Sequence, residues 1–325
     1  MAVMKSEYYQ VSSKMCDMIC EQPSLLQMMS RFGIPLGVEE KTVEEVCRAH
    51  NVDPVTFVAV ANFIKSGPEA AKDFYDKVSV EALVGYLKKA HEYFLGFQLP
   101  SIRRKLLEAI VCSNTGEVNK VVGLIIKFFD EYTDEVRRHM EHENREIFTY
   151  VEDLLKGRRR ADFDIDRFAR SHESINHKLQ ELKNIIIKYY KPDSASDLLN
   201  SMMYDIFVCE FDLRRHCEVE NELFVPAVKL LEENTGEECD DATLQGDGDA
   251  EQGLLSQREK EIVALVVRGM KNKEIADKLF ISVHTVLTHR KNISHKLNIH
   301  SVSGLTIYAI VNQIVNLEDL EPNAK

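Results

Sequence analysis

The sequence predicts an all-α protein: a four-helix up-down bundle, a small helical module before it and a C-terminal helix-turn-helix domain after it. Three observations predict this. Apolar residues recur at three- and four-residue spacing through four long stretches, roughly 78–112, 117–155, 162–191 and 194–232, and that spacing keeps one face of a helix against a core. The breakers between the stretches, "SNTGE", "KGRRRADFD" and "KPDSA", are short, so consecutive helices lie antiparallel. Beyond residue 253, three shorter helical patterns follow one another, the last two joined by a tight turn.

Composition sets the boundaries. Residues 1–76 form the small module, with a Gly/Pro turn at "RFGIPLG". Residues 77–232 form the bundle. Residues 233–253, "ENTGEECDDATLQGDGDAEQG", are acidic and Gly-rich, the composition of a flexible linker. Residues 254–325 complete the chain. The formal net charge of −12 excludes a generic nucleic-acid binder. From Leu254 to Leu317, however, nine Lys/Arg face four Asp/Glu. Seven cysteines without a C-x-x-C pattern fit reduced thiols in a cytoplasm better than a disulfide framework or a zinc ribbon. Cys16 and Cys20, one helical turn apart, are expected as buried structural thiols. The first ten residues are too polar for a signal peptide. No apolar run approaches the roughly 20 residues that span a bilayer. The expectation is a soluble, cytoplasmic protein with no membrane partner.

One octet is written twice. Residues 137–144 read "RRHMEHEN" and residues 214–221 read "RRHCEVEN", seventy-seven positions apart. Both fall on apolar stripes. On the second helix the stripe runs Ile125, Phe129, Tyr132, Val136, His139, Glu143, Ile147; on the fourth it runs Met202, Ile206, Cys209, Leu213, His216, Glu220, Phe224. The third helix places His172 between Phe168 and Ile175, and the first places His91 between Leu87 and Phe94. Depth agrees. At 1.5 Å per residue, His91 and His139 both lie roughly 36 Å from their shared turn, and His172 and His216 roughly 32–35 Å from theirs. The crossover "KGRRRADFD" fits this layering less well and is read as irregular. Four imidazoles and two carboxylates buried together without partners would cost several kcal/mol. A metal centre removes that cost, and neutral imidazole with carboxylate suits iron, manganese or zinc. Residues four apart on a helix face the same way, so each H-x-x-x-E pair can offer a nitrogen and an oxygen to one centre. His142 and His177 lie off the stripe and are read as surface residues.

His91, His139-x-x-x-Glu143, His172 and His216-x-x-x-Glu220, with "LFVP" after the last pair, resemble the hemerythrin-like di-iron family, and within it the branch that repairs iron centres after nitric oxide or oxidative stress. The resemblance covers about 80–230. It implies that His91, His139, Glu143, His172, His216 and Glu220 are ligands of non-haem iron, a di-iron centre bridged by Glu143 and Glu220. The family typically carries a fifth His late on the first helix, whereas no His occurs here between 91 and 139. Cys112 or Ser113 stands near that place, and one metal is therefore expected to be under-ligated, completed by water or thiolate, or absent. The stretch "RFGIPLGVEEKTVEEVCRAHNVDP" resembles the N-terminal module of the same repair proteins. Leu36 and Gly37 stand where that module usually has a Cys-Cys pair, so the module is read as a packing element without thiol chemistry.

The C-terminal block begins with Ser256 as N-cap and Glu259 three residues on, a capping box. Gly269 ends the first helix, "NKEIADKLF" is a short second helix, and Ser282 caps a third helix rich in Thr, His, Arg and Lys. Leu255-Ser256-x-Arg258-Glu259, Lys273-Glu274-Ile275-Ala276, Ile281-Ser282, Thr285-Val286, Asn292-Ile293 and Lys296-Leu297 resemble the LuxR/NarL-type helix-turn-helix. The resemblance implies that Leu287, Thr288 and Lys291 face bases. It implies that Asn272, Ser282, His289, Arg290 and Lys296 approach phosphates of double-stranded DNA. Leu287 stands where the family often has Lys, which points to a thymine methyl contact. A fourth helix over Val302 to Val315 is usually the dimer contact in this family, so a homodimer on paired promoter half-sites is expected.

Together these features predict a one-component transcription regulator, not an enzyme, whose iron centre meets dioxygen, nitric oxide or another small oxidant. Two alternatives stay open on sequence alone. One is an iron-centre repair or iron-donor protein with a DNA-binding tail. The other is a regulator whose bundle binds haem or no metal.

Overall fold

The structure is a computed structural model, and it describes residues 8–111, 118–158, 163, 165, 173–190, 196–233, 255–297 and 299–315. Among them the fold is all-α, with one isolated bridge between Lys14 and Thr42 and no strand. The linker 233–253 lies almost wholly outside the described residues, as do His172, Cys112, Ser113, most of the crossover after Leu155 and the side chain of His177.

The helices are α1 (Met15–Glu21), α2 (Leu25–Arg31), α3 (Val43–Ala49), α4 (Pro54–Ser66), α5 (Val80–Tyr93), α6 (Leu99–Val111), α7 (Val118–His142), α8 (Phe148–Leu155), α9 (Glu173–Tyr189), α10 (Asp197–Val219), α11 (Val225–Glu233), α12 (Gln257–Val267), α13 (Asn272–Leu279), α14 (Val283–Leu297) and α15 (Val302–Val311). Three π-helical turns splice the long rods: Phe94–Gln98 between α5 and α6, Glu143–Ile147 between α7 and α8, and Glu220–Phe224 between α10 and α11.

The described residues divide into two compact units. The first comprises residues 1–98, 137–172 and 211–240. One continuous core runs through it, from Met15, Met18, Phe57 and Phe63 of the opening block to Leu83 and Leu87 of α5, Phe148 and Val151 of α8, and Leu223 and Val228 around α11. The opening block is built as its residue types dictate. Asp53 accepts from the Thr56 amide at 2.7 Å and Pro54 sits at the first helical position, so α4 starts where it must. Gly33 and Gly37 take φ of +72° and +95°, which only glycine adopts without strain. One expectation is corrected here. Cys20 is exposed and Cys16 half-buried, because Met15 and Met18 occupy the core face of the seven-residue α1.

The second unit comprises 99–136, 173–210 and 241–325. Ile125, Phe129, Tyr132 and Val136 of α7 are buried, as are Leu179 and Leu182 of α9 and Met202, Ile206 and Cys209 of α10. Ion pairs tie the flanks: Arg103 grips Asp130 through two nitrogens at 2.6 and 3.0 Å, and Lys105 meets Asp205 at 2.5 Å. Phe163 and Ile165 are non-helical, and the described helix opens at Glu173.

Within the second unit, α12 to α15 form the helix-turn-helix domain. Ser256 Oγ accepts from the Glu259 amide while Glu259 accepts from the Ser256 amide, a complete capping box. Ser256→Ala should cost about 1 kcal/mol, read as a lower denaturant midpoint; an unchanged midpoint would remove the cap from the account. Gly269 leaves α12 with φ +80°. The last helix is shorter than expected. It stops at Val311, and Gln313 turns the chain with φ +55°.

Candidate metal centre and nucleic-acid interface

The first unit assembles the site around the octets. Glu143 and Glu220 are fully buried, His91 is 1% and His216 2% exposed. One ligand atom from each of the four lies within 4.8 Å of the others. His91 Nε2 stands 3.1 Å from His216 Nε2, 3.2 Å from a Glu143 oxygen and 3.7 Å from a Glu220 oxygen. His216 Nε2 is 3.1 Å from Glu220 Oε1. His139 Nε2 reaches Glu143 Oε1 at 2.7 Å from the rim, where its side chain keeps 14% exposure. Five of the six residues singled out by the octets and stripes thus meet in one place. The sixth, His172, lies outside the described residues. His142, off the stripe, is exposed.

Both carboxylates open π turns. The Phe148 amide donates to the Glu143 carbonyl and the Val225 amide to the Glu220 carbonyl, five residues back in each case. The third π turn opens at Phe94, three residues after His91. Such turns insert one residue into a helix and concentrate at functional sites. Here two of them open at a buried carboxylate and the third begins three residues after a buried imidazole.

The donor set fits a cation. Asn144 Oδ1 can only accept, so His91 Nδ1, 3.0 Å away, must donate to it. In the neutral ring this leaves the Nε2 lone pair aimed at the other donors, the tautomer a metal ligand needs. His216 Nδ1 has no hydrogen-bond partner among the described residues, so its Nε2 side carries the ring's polar contacts. Burial works against a charge on His91, yet contacts with Glu143 and Glu220 outweigh it and raise the group to about 9. Burial holds His216 below the usual histidine value in spite of Glu220, with His91 adding to the depression. The two neighbouring imidazoles are thus shifted in opposite directions, and nitrogen and carboxylate lone pairs converge in a buried space. A bound cation accepts all of them.

Asn144 was not singled out by the stripe. The signal that could have found it is the octet itself, whose last letter is Asn both times. Around the centre, Phe148 stacks on His91 with ring centres 5.5 Å apart, and Phe94 meets His216 edge-on at 5.7 Å. Burial pushes the Cys217 thiol far up, so it stays protonated beside the site.

In the helix-turn-helix domain the expected DNA-facing residues separate into two groups. Ser282, Leu287, Thr288 and Lys291 are exposed on α14 or its cap, and Leu287 keeps 50% of its surface. His289 is half-buried. Arg290 Nη1 donates to Asn272 Oδ1 at 2.7 Å, which ties α13 to α14. Lys296, expected at a phosphate, instead donates to both Glu259 oxygens at 2.8 Å. Glu259 is 3% exposed and needs that partner, so the lysine's nearest task is internal.

Comparison with known proteins agrees with this geometry. Residues 83–228 match the Hemerythrin HHE cation binding domain, and residues 253–309 match the bacterial regulatory proteins of the luxR family. The chain is 46% identical over 63 residues to the oxygen regulatory protein NreC of Staphylococcus carnosus, covering 19% of this chain and 29% of that protein. It is 47% identical over 62 residues to the transcriptional regulatory protein MctR of Rhizobium johnstonii, again 19% and 29%. The chain therefore spans less than a third of the length of these curated relatives. No helix among the described residues is long and apolar enough to cross a membrane. Two regions of the chain thus match known domains, one a hemerythrin-type cation-binding domain and the other a luxR-family helix-turn-helix domain.

Proposed function

We propose that this protein is a one-component, cytoplasmic transcription regulator. Its bundle holds non-haem iron, a di-iron centre when fully loaded, and its C-terminal domain binds promoter DNA as a homodimer. His91, His139, Glu143, His172, His216 and Glu220 would hold the metal. Asn144 orients His91. The iron supplies a site at which dioxygen, nitric oxide or another oxidant can bind or react. Leu287, Thr288 and Lys291 read bases. Asn272, Ser282, His289 and Arg290 position the domain on phosphates. The observation that carries this reading is the buried convergence of two histidines and two glutamates, in a chain that also carries a luxR-family domain.

A contact inside the second unit supports coupling between the two functions. Glu181 of α9 is 1% exposed. Its Oε1 accepts from Ser301 Oγ at 2.8 Å and from the Ser301 amide at 3.3 Å, at the N-cap of α15. Ser303 Oγ donates to Glu131 of α7 at 2.9 Å. The last helix of the DNA-binding domain is therefore seated on bundle helices. Gly304 allows the approach, since a Cβ there would stand 1.9 Å from Glu181 Oε1. Gly304→Ala should leave α15 helical, because Ala is the better helix former, and should break this seat. Amide exchange at Ser301 and Gly304 should quicken, and the promoter affinity of the variant should stop responding to nitric oxide or oxygen. An unchanged exchange rate and an intact response would remove Glu181 from the coupling.

The function is tested by promoter binding of the iron-loaded full chain, measured across salt concentrations before and after nitric oxide or oxygen. Affinity should change with the gas and fall with salt. Affinity identical in every state would leave a DNA-binding protein without a sensor.

A further inference from the structure

The opening block brings one charge into the first unit's core. Arg31, the last residue of α2, is 5% exposed and is the only buried Arg or Lys among the described residues. Burial alone would work against its charge; Tyr86 and Asp212 outweigh that. Its Nη2 donates to Asp212 at 2.6 Å and its Nη1 to the Tyr86 hydroxyl at 3.4 Å. Its Cζ lies 5.2 Å from the ring centre of Phe94, 5.6 Å from Tyr93 and 5.8 Å from Tyr86. A cation this deep among rings is held by their faces as well as by the carboxylate.

Two of those contacts lead to the same imidazole. Asp212 precedes His216 by four residues on α10, one turn along the same face. Phe94 opens a π turn and packs edge-on against the His216 ring. Arg31 therefore grips the helix turn that carries His216 and the ring that bounds it. An ion pair serving only to glue α2 down has no need of that address.

We infer that Arg31 is a positioning residue for His216, so that the opening block, which has no Cys-Cys pair, serves the metal centre by fixing one ligand's orientation. This rests on the metal reading above. The guanidinium holds Asp212 and Phe94, and through them the imidazole keeps its Nε2 turned toward Glu220 and His91. Without it Asp212 and Phe94 lose that hold, and the centre loses part of the presetting of one donor.

The test titrates cobalt(II), whose visible bands report ligand number and symmetry, into the metal-free full chain. Wild type should bind cobalt with defined bands. Arg31→Met, which keeps length and apolar bulk, should retain wild-type far-ultraviolet circular dichroism. It should bind cobalt about tenfold more weakly, the scale seen when groups behind a ligand are lost, with shifted bands at saturation. Arg31→Lys should recover part of both. Asp212→Asn removes the ion pair from the other side and should repeat the defect, which keeps the test decisive if Arg31→Met does not fold. Wild-type affinity and bands in Arg31→Met, or in Asp212→Asn when only that variant folds, would overturn the inference while leaving the metal centre in place. Absence of cobalt binding in wild type would instead overturn the metal reading, and this inference with it.

Discussion

Glu220→Ala is expected to abolish metal binding and with it the stabilisation that metal confers. Glu220 is fully buried, stands 3.1 Å from His216 and 3.7 Å from His91, and opens a π turn. Its removal takes one of two carboxylates from the centre and leaves two imidazoles facing each other at 3.1 Å. A ligand present at a thousandfold over its dissociation constant stabilises the folded state by about 4 kcal/mol. The wild-type chain should therefore gain about that much on saturation with iron(II), read as a rise in the unfolding midpoint. The variant should gain nothing, and elemental analysis should find it empty. A variant that keeps its full metal complement would remove Glu220 from the ligand set.

Lys291→Ala is expected to lower promoter affinity by roughly 5- to 150-fold, the range that corresponds to one base contact of about 1–3 kcal/mol. Lys291 is exposed on α14, on the same helix as exposed Leu287 and Thr288. It makes no ion pair among the described residues, whereas Lys296 of the same helix is committed to Glu259. The loss should be largest on the cognate sequence. Were Lys291 instead a phosphate contact, all sequences would weaken alike and the salt slope would drop by about one. Metal content should not change in either case. Undiminished affinity for the cognate promoter would take Lys291 out of the interface.

Much of the bundle was legible because burial and helical spacing are the same signal. Met202, Ile206, Cys209, Leu213, His216, Glu220 and Phe224 were placed on one stripe by counting, and all seven are buried. The polar members of that stripe pointed to the site, since a His and a Glu cannot enter a core alone. The π turns were not legible. An inserted residue changes the carbonyl that an amide meets, yet a pattern of threes and fours tolerates it without visible fault. Arg31 was illegible for a different reason. Its partners Tyr86 and Asp212 are 55 and 181 positions away, and a single arginine has no period. The same holds for Glu181, which reads as one more glutamate until Ser301, 120 positions on, is found against it. The thiols of α1 failed as expectations because two methionines outcompete two cysteines for the core face of a short helix. Asn144 lies between these cases: its contact with His91 is tertiary, but its recurrence in the octet was on view.

The most direct test of the whole account is the metal content of the full chain, purified without oxygen from iron-replete cells, with its absorption spectrum. Close to two irons per chain and no Soret band is the expected result. A chain that leaves those cells with haem, or with no metal, would contradict the claim that these buried histidines and glutamates are gathered around non-haem iron.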